Sequence, residues 1–266
     1  MSFAFIKDPR WYQILSLGTF LFFGIFFLAF DITLEKVFVH LCGVLVVQYI
    51  CQKMILELPF EPKSALITGL SLCLLFRTDS LYWNLLVCVL AISSKFVFRF
   101  RGKHIFNPAN FGIAVLLLAT DKVWISPGQW GSSTIFAFLL VSFGGMVLYN
   151  AKRMDTTLFF LFFFASFVFL RAFYLGDPLT IPLYRLQSGA LILFSFFMIS
   201  DPKATPDSRL ARILFTFLTA ALAWYFIYRK FNPNGLIYSL ILTSCLIPFL
   251  DAILQNKKYE WIHQEV

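Results

Sequence analysis

Long apolar segments fill this chain from one end to the other, and they restrict its fold more than any other feature. Hydrophobic residues make up 59% of the sequence and charged residues only 14%, against roughly 25% charged residues in a soluble domain. No polar block is large enough to form a separate soluble domain. We therefore predict an all-α integral membrane protein with a single domain over residues 1–266.

Ten apolar segments are predicted to be transmembrane helices, of which the third, fifth and eighth are short. The eighth has too few apolar residues to cross roughly 30 Å of hydrocarbon as a straight helix. It ends in a turn with an acid, a base and two prolines, which indicates a broken helix with a polar end. The segments cover residues 11–30, 34–52, 64–76, 81–98, 109–120, 132–149, 156–174, 187–200, 208–228 and 235–254.

The order of the segments indicates two related halves, repeat 1 at residues 11–120 and repeat 2 at residues 132–254. Ser64 and Ser188 open short segments at corresponding places. Phe106-Asn107-Pro108 and Phe231-Asn232-Pro233 recur at a similar offset, and each triplet follows basic residues and opens an apolar helix. Five helices per half is an odd number, so the halves would lie in the membrane with opposite orientation. We predict two inverted five-helix repeats with short broken helices near the pseudo-two-fold axis.

The formal net charge of +8 would suggest nucleic acid as the partner of a soluble protein. Here the Lys and Arg residues lie in short clusters between apolar segments, so we assign the charge to membrane topology and expect no nucleic-acid partner. With a cytoplasmic N-terminus, the inside loops contain most of the 22 Lys and Arg residues. This bias predicts a multi-pass protein of the bacterial inner membrane with both termini in the cytoplasm.

Residue types that form metal or enzyme sites are sparse. The five Cys residues fall inside apolar segments without a Cys-x-x-Cys pair, and the three His residues are scattered, so we predict no metal site. Phosphate-binding Walker loops, dinucleotide fingerprints and serine elbows are absent from the sequence. These observations exclude the soluble enzyme classes and leave the catalytic residues unassigned.

The stretch before the fifth segment is the first candidate site. A proline in the first turn of a helix leaves the remaining free N–H groups and the positive end of the dipole facing outward, which suits a phosphate or carboxylate. Arg99 and Arg101 would add positive charge. Alternatively, the asparagine is an N-cap and the bases follow the positive-inside rule. The candidate residues are Lys103, His104, Asn107, Pro108 and Asn110.

The end of the eighth segment is the second candidate site. Asp-Pro and Thr-Pro pairs favour an extended or turn backbone, because proline disfavours the helical region for the residue before it. The pattern predicts a polar loop near a ligand, or alternatively an ordinary loop in which the aspartate is a cap and the lysine marks the inside face. The candidate residues are Asp201, Pro202, Lys203 and Thr205, together with Ser188 at the start of the same segment.

Two other polar stretches are interpreted as structural. Lys95 lies near a helix end, so we expect its ammonium group to extend to the membrane interface. Residues 126–134 form a loop with two glycines beside hydroxyl groups; they could let a backbone approach a ligand, although a simple turn is the favoured interpretation.

Four of these motifs resemble a known family. Gln187-Ser188-Gly189-Ala190-Leu191, residues 197–206, Phe106-Asn107-Pro108 and Pro233-Asn234-Gly235 resemble the membrane subunits of flavin-dependent ion-translocating complexes. These are the D subunit of the Rnf complex and the B subunit of the sodium-translocating NADH:quinone reductase. Residues 64–77, 102–108, 126–132 and 199–203 resemble the UnbU-like branch, named for enediyne biosynthesis clusters. The resemblance implies ten helices in two inverted five-helix halves.

The resemblance also implies a function. It indicates a bacterial electron-transfer subunit that uses a flavin, is coupled to ion translocation, and works with other membrane or extracytoplasmic redox subunits. A first alternative is a small-molecule exporter on the same scaffold, linked to biosynthesis of a secondary metabolite. A second is a structural membrane partner without its own ligand.

The flavin of the larger family is bound covalently to the threonine of a Ser-Gly-Ala-Thr motif. Here Ser188-Gly189-Ala190 is followed by Leu191 and lies in a different segment. We therefore expect a noncovalent flavin, FMN or riboflavin, with a phosphate near Lys103, His104 and Asn107 and the ring near residues 188–206.

Overall fold

The computed structural model describes residues 8–126, 144–145 and 153–259. Within these ranges most residues are helical, and an all-α membrane fold is confirmed. The helices are α1 (Pro9–Phe27), α2 (Leu34–Tyr49), α3 (Pro62–Leu75), α4 (Leu81–Val97), α5 (Pro108–Ala119), α6 (Met154–Leu175), α7 (Thr180–Leu186), α8 (Gly189–Leu193), α9 (Arg209–Tyr228), α10 (Gly235–Ser244) and α11 (Ile247–Ile253). π-Helical segments extend α2 over Ile50–Ile55 and α8 over Phe194–Met198. The sixth predicted segment, residues 132–149, lies almost wholly outside the described residues.

Four of the described helices are long and apolar enough to cross a membrane: α1, α2 with its π-helical extension, α6 and α9. Two further pairs qualify only when their members are joined, because α7 and the α8 segment meet at a bend of 50° and α10 and α11 at 43°. Helices α3, α4 and α5 are shorter. The 12 residues of α5 span about 18 Å, less than the hydrocarbon thickness.

The prediction that the last segment forms one continuous helix is wrong. The apolar pattern predicts one helix through residues 235–254, but α10 ends at Ser244 and α11 begins at Ile247. Pro248 lies in the first turn of α11, where its missing N–H and its ring are tolerated; further along a continuous helix they would break the hydrogen-bond ladder. The broken eighth segment, in contrast, agrees with the prediction.

Two short antiparallel ribbons connect the helices, and the sequence did not predict them. Strand β1 (Phe76–Thr78) pairs with β4 (Val123–Ile125), and β2 (Arg99–Phe100) pairs with β3 (Lys103–His104). Since α4 follows β1 closely and ends just before β2, the ribbons lie at opposite ends of α4. We call the end of the molecule that contains β1 and β4 the ribbon end, and the end that contains β2 and β3 the hairpin end.

These two ends define the direction of each helix. Helix α3 continues directly into β1, and α5 leads from β3 to β4, so both run toward the ribbon end. Helix α4 runs toward the hairpin end. In the second half, α9 starts near the hairpin end, and α10 with α11 returns to it, where Asp251 of α11 contacts Lys103 of β3.

Helices α4 and α5 pack closely against each other. At Gly112 of α5, a Cβ atom would lie 2.9 Å from the carbonyl oxygen of Val87 and 3.0 Å from the Cβ atom of Ala91. Only a residue without a side chain allows this approach. Helix α2 packs on both α3 and α4, and α9 packs on both α6 and α10; α5 and α10 contact each other between these groups.

Candidate functional site

A polar cavity of about 210 Å³ lies at the hairpin end. Its walls come from α1, the end of α2, α3, α4, the start of α5 and the loop after α8. Of the predicted site residues, six line it: His104, Asn107, Pro108, Asp201, Pro202 and Lys203. The two candidate stretches, nearly a hundred residues apart in sequence, therefore meet at one cavity.

The β2–β3 hairpin positions His104 at this cavity. Its two-residue turn consists of Arg101 and Gly102, and both have positive φ values, 48° and 82°. A type I′ turn requires positive φ at both central residues, and glycine meets this requirement at the second without steric cost. After the hairpin, the Asn107 side chain caps α5 by accepting a hydrogen bond from the backbone N–H of Asn110 at 3.1 Å.

Asp201 connects the two candidate stretches. Its Oδ2 atom lies 3.4 Å from His104 Nε2 and accepts a hydrogen bond from Asn107 Nδ2, also at 3.4 Å. Its Oδ1 atom accepts a hydrogen bond from the backbone N–H of Lys203 at 3.0 Å. Asp201 thus joins the two candidate stretches through one oxygen and closes a local turn with the Lys203 backbone through the other.

The electrostatic environment keeps Asp201 ionised. Burial would raise the pKa of Asp201, but the hydrogen bond and charge of His104, the Lys203 backbone N–H and the charge of Lys95 together lower it below its usual value. The pKa of Lys203 is also lowered, first by burial and then by Arg99 and other nearby cations, although Asp201 opposes this shift.

Lys103 and Thr205 lie beside the cavity and not in its wall. The Lys103 ammonium is buried, donates a hydrogen bond to the Thr205 carbonyl at 2.9 Å, and forms ion pairs with Asp207 at 3.1 Å and Asp251 at 2.5 Å. Two carboxylates thus neutralise the lysine that the sequence places near a phosphate. It ties the hairpin to the loop after α8 and to α11.

The other two predicted residues have separate surroundings. Asn110 is buried and donates a hydrogen bond from Nδ2 to the Ile237 carbonyl at 3.3 Å, which joins α5 to α10. Ser188 precedes α8, and its carbonyl accepts a hydrogen bond from the Ile192 N–H. Of the predicted loop at 126–134, only Ser126 is among the described residues; its backbone N–H bonds to the Leu75 carbonyl.

Sequence reasoning missed the first-half wall of the cavity. Contrary to expectation, Lys95 points inward: its side chain lines the cavity, and Nζ donates a hydrogen bond to Gln48 Oε1 at 3.1 Å. The sequence does contain a signal for this wall, because polar residues spaced four and three positions apart along a helix share one face. Those residues are Ser64, Thr68 and Ser71 on α3, and Gln48 and Gln52 at the end of α2.

These features define a multi-pass helical membrane protein with a charged cavity built from distant segments and bounded by short, broken helices. The chain belongs to the NQR2, RnfD, RnfE family, whose model matches residues 120–260. The matched region contains α6 to α11 and the Asp201 loop. The resemblance seen in the sequence motifs is therefore confirmed at the family level, while the finer resemblance to the UnbU-like branch stays a prediction.

Several curated relatives are named as the D subunit of an ion-translocating oxidoreductase complex. The chain is 32% identical over 90 residues to the one from Alcanivorax borkumensis, covering 32% of this chain and 26% of the relative. It is 35% identical over 80 residues to the one from Tolumonas auensis (29% and 22%), and 25% identical over 141 residues to one from Escherichia coli (52% and 35%). In these alignments the chain thus spans between a fifth and about a third of the relatives' length.

Proposed function

We propose that this protein is an electron-transfer subunit of a bacterial inner-membrane oxidoreductase complex, coupled to ion translocation, and that it holds a noncovalent flavin in the hairpin-end cavity. The observation on which this rests is the meeting of His104, Asn107 and Asp201 from both halves of the chain at one polar cavity. The names of the relatives support a redox role and other subunits of the same complex as partners.

The residues around the cavity suit the chemistry of a flavin. A flavin ring has a polar edge with both donors and acceptors, and an apolar edge. The cavity offers a donor in the Lys95 ammonium, acceptors in Gln52 and Asp201, and apolar contact surface in Ile67 and Phe197. Its volume of about 210 Å³ is below the roughly 300–1,000 Å³ of sites that enclose a drug-sized ligand. It would therefore receive one end of the cofactor.

The residues at the cavity would have different roles in such a site. Bound flavin would supply the capacity to accept and release electrons. Asp201 fixes the orientation of the His104 ring and the Asn107 amide, so neither has to reorganise when a ligand binds. Because Lys103 is neutralised by Asp207 and Asp251, a phosphate group would have to be bound by cations that line the cavity, such as Arg99 and Lys203.

The proposal includes ten spans in two inverted repeats. Corresponding elements run in opposite directions: α3 and α5 run toward the ribbon end, whereas the α8 segment and α10 run toward the hairpin end, and α4 and α9 are likewise opposed. The packing pattern also recurs, since α4 lies between α2 and α5 as α9 lies between α6 and α10. The α5–α10 contact at Asn110 would mark the pseudo-two-fold axis.

Both ends of the described chain support cytoplasmic termini. Asp8 forms an ion pair with Lys63 beside the cavity, and Lys258 lies next to Gly102 of the hairpin, so both ends lie on the hairpin side. This side also contains Arg99, Arg101 and Lys203, an excess of positive charge that favours the cytoplasmic face.

The test is an absorbance spectrum of protein purified in mild detergent, recorded before and after denaturation and supplemented by titration with riboflavin and FMN. We expect flavin absorbance that leaves with the small-molecule fraction on denaturation, because the attachment is noncovalent. Protein that contains no flavin and binds none on titration would overturn the proposal. Flavin that stays with the denatured chain would contradict the noncovalent attachment.

Substitutions of cavity residues test whether these residues bind the flavin. Asn107→Ala and Asp201→Asn should each weaken flavin binding by about 10-fold or more, since each removes a hydrogen bond to a charged or buried group worth about 1.5–3 kcal/mol. Asn256→Ala and Asp121→Asn, at exposed positions, are the matched controls and should bind like the original protein. Unchanged binding in both cavity variants would place the flavin elsewhere.

A transporter on the same scaffold is the second candidate, and the cationic cavity is the observation that favours it. Lys95 and Lys203 in the wall would attract an anionic substrate, and broken helices are typical of transporter binding sites. Substrate flux in proteoliposomes containing flavin-free protein would support this function, whereas flavin-dependent electron transfer without flux supports the first.

A further inference from the structure

We propose that Lys95 sets the charge preference of the cavity, so that a bound flavin is held more tightly in its negatively charged, reduced form than in its neutral, oxidised form. This inference rests on the proposed function, and it concerns a residue that the sequence alone assigns to a structural role. It follows from the position of the Lys95 ammonium, its charge balance among the described residues, and the electrostatics of a buried charge.

The first step is position. Lys95 lies in the last turn of α4, only 6% of its surface is exposed, and its side chain lines the cavity. The Nζ atom donates one hydrogen bond, to Gln48 Oε1 at 3.1 Å. Gln48 is itself 3% exposed and bonds from Nε2 to the Glu61 carbonyl at 3.4 Å. The glutamine therefore holds the ammonium in place through a neutral amide.

The second step is charge balance. Among the residues that the structure describes, Lys95 has no carboxylate within ion-pair distance, whereas the equally buried Lys103 has two. The carboxylate of Asp201 shares the cavity, but its oxygens already accept hydrogen bonds from Asn107 and from the Lys203 backbone and lie beside His104. Within the described part of the chain, the positive charge of Lys95 is thus only partly balanced.

The third step is electrostatic. A charge removed from water interacts more strongly with other charges, because the surrounding dielectric constant is lower. Adding two electrons and one proton to a neutral oxidised flavin gives a reduced ring with one negative charge; in the experiment below, dithionite supplies the electrons and water the proton. The Lys95 ammonium would stabilise that negative charge and leave the neutral form almost unaffected.

The fourth step separates Lys95 from the other cations of the cavity. Lys203 is more exposed than Lys95, and it has Asp201 as a close carboxylate neighbour in sequence and space. Arg99 bonds to the Gly102 carbonyl in the exposed hairpin. Solvent screens both of these charges more strongly. Arg10, which also lines the cavity, forms ion pairs with Asp8 and Glu61. Lys95 should therefore have the largest single effect on the charge preference.

The experiment compares reduction potentials of flavin bound to three proteins: the original chain, Lys95→Met and the control Lys53→Met. Methionine matches the length of the lysine stem, and Lys53 is an exposed lysine on the π-helical extension of α2, so the control removes the same net charge from outside the cavity. Potentials are measured by dithionite titration with redox dyes, with flavin bound at saturation.

We expect Lys95→Met to lose at least 10-fold in the preference for reduced over oxidised flavin, which is about 30 mV for a two-electron couple. Lys53→Met should keep the original potential, and Lys95→Arg, which retains the charge, should recover most of the shift. If Lys95→Met is not monodisperse in detergent, the neutral but polar Lys95→Gln provides the same comparison.

The outcomes separate this inference from the proposed function. Flavin that binds to the original protein and to Lys95→Met with equal potentials overturns the role of Lys95 and leaves the cofactor in place. A lowered potential in Lys53→Met as well as in Lys95→Met also overturns it, because the effect would then come from net charge. A protein that binds neither riboflavin nor FMN overturns both proposals.

Discussion

Two buried lysines at the hairpin end show how the surroundings of a residue determine its role. Lys103 and Lys95 are similarly inaccessible, but Lys103 contacts two carboxylates and Lys95 contacts a neutral glutamine. A buried charge is costly unless it is paired, so the first arrangement stabilises the fold and the second leaves charge available to a ligand.

The Lys103 ion pairs predict a large effect on stability. Lys103→Met should lower the free energy of unfolding by about 3–5 kcal/mol, because it leaves the Asp207 and Asp251 carboxylates buried without a counter-ion. Thermal unfolding in detergent measures the loss, and Asp251→Asn added to Lys103→Met should recover part of it. Lys63→Met removes a more exposed pair with Asp8 and should cost at most about 1 kcal/mol; equal losses in both variants would contradict the distinction.

The lowered pKa of Asp201 predicts how the stability of the protein depends on pH. Its pKa in the folded protein lies below the usual value near 3.9, so the ionised carboxylate stabilises the fold above about pH 4, and this stabilisation is lost as the pH falls further. Asp201→Asn should therefore reduce stability by about 1–3 kcal/mol at neutral pH, with a difference that shrinks in acid. Melting curves of both proteins across pH test this. A difference that instead grows as the pH falls would show that the folded pKa is raised.

Two helix contacts of this protein depend on single residues of α5. The contact of α4 with α5 depends on Gly112, and the contact of α5 with α10 depends on the Asn110 amide. Both residues lie on the 12-residue α5, whose N-cap Asn107 also reaches the Asp201 loop. This one short helix thus fixes the position of the cavity relative to the second half.

A methyl group at Gly112 should disturb this arrangement. Gly112→Ala should destabilise the protein by about 1–3 kcal/mol, because the new Cβ atom meets backbone atoms of α4 that cannot rotate away. Gly18→Ala in α1 is the control: nothing lies within 4 Å of its Cβ position, and alanine is the better helix former by up to about 1 kcal/mol. Melting temperatures that fall equally in both variants would argue against close packing as the cause.

The elements themselves were largely predictable from the apolar pattern. Apolar segments located the described helices except α7, which lies between the seventh and eighth predicted segments, and prolines at positions 62, 108 and 248 each lie in a first turn. The break before Ile247 and the two ribbons were not predictable in this way, because the lengths of apolar runs do not report bends. Asp201 and Asn107 were found through their Pro neighbours, whereas Lys95 was missed because its position near a helix end suggested an interfacial location.

At the scale of the whole molecule, the positive charge and the chain ends predict an orientation. A cysteine introduced at Lys258 should react with a membrane-impermeant maleimide only from the cytoplasmic side, and one at Asp121 only from the opposite side, when native cysteines are replaced. Intact cells and inverted vesicles provide the two accessibilities. Labelling of both positions from one side would contradict the placement of the two ribbons at opposite ends.

The ion pairs of Lys103 also limit how the two halves can move. They join the β2–β3 hairpin of the first half to Asp207 and Asp251 of the second. Asp207 is tied further, since the Asp251 carboxylate accepts its N–H at 2.8 Å and Arg212 donates to its carbonyl at the same distance. Rocking of one half against the other must therefore either break these buried pairs or use them as a pivot. With the pivot at the hairpin end, the largest displacement would occur at the ribbon end, far from the cavity.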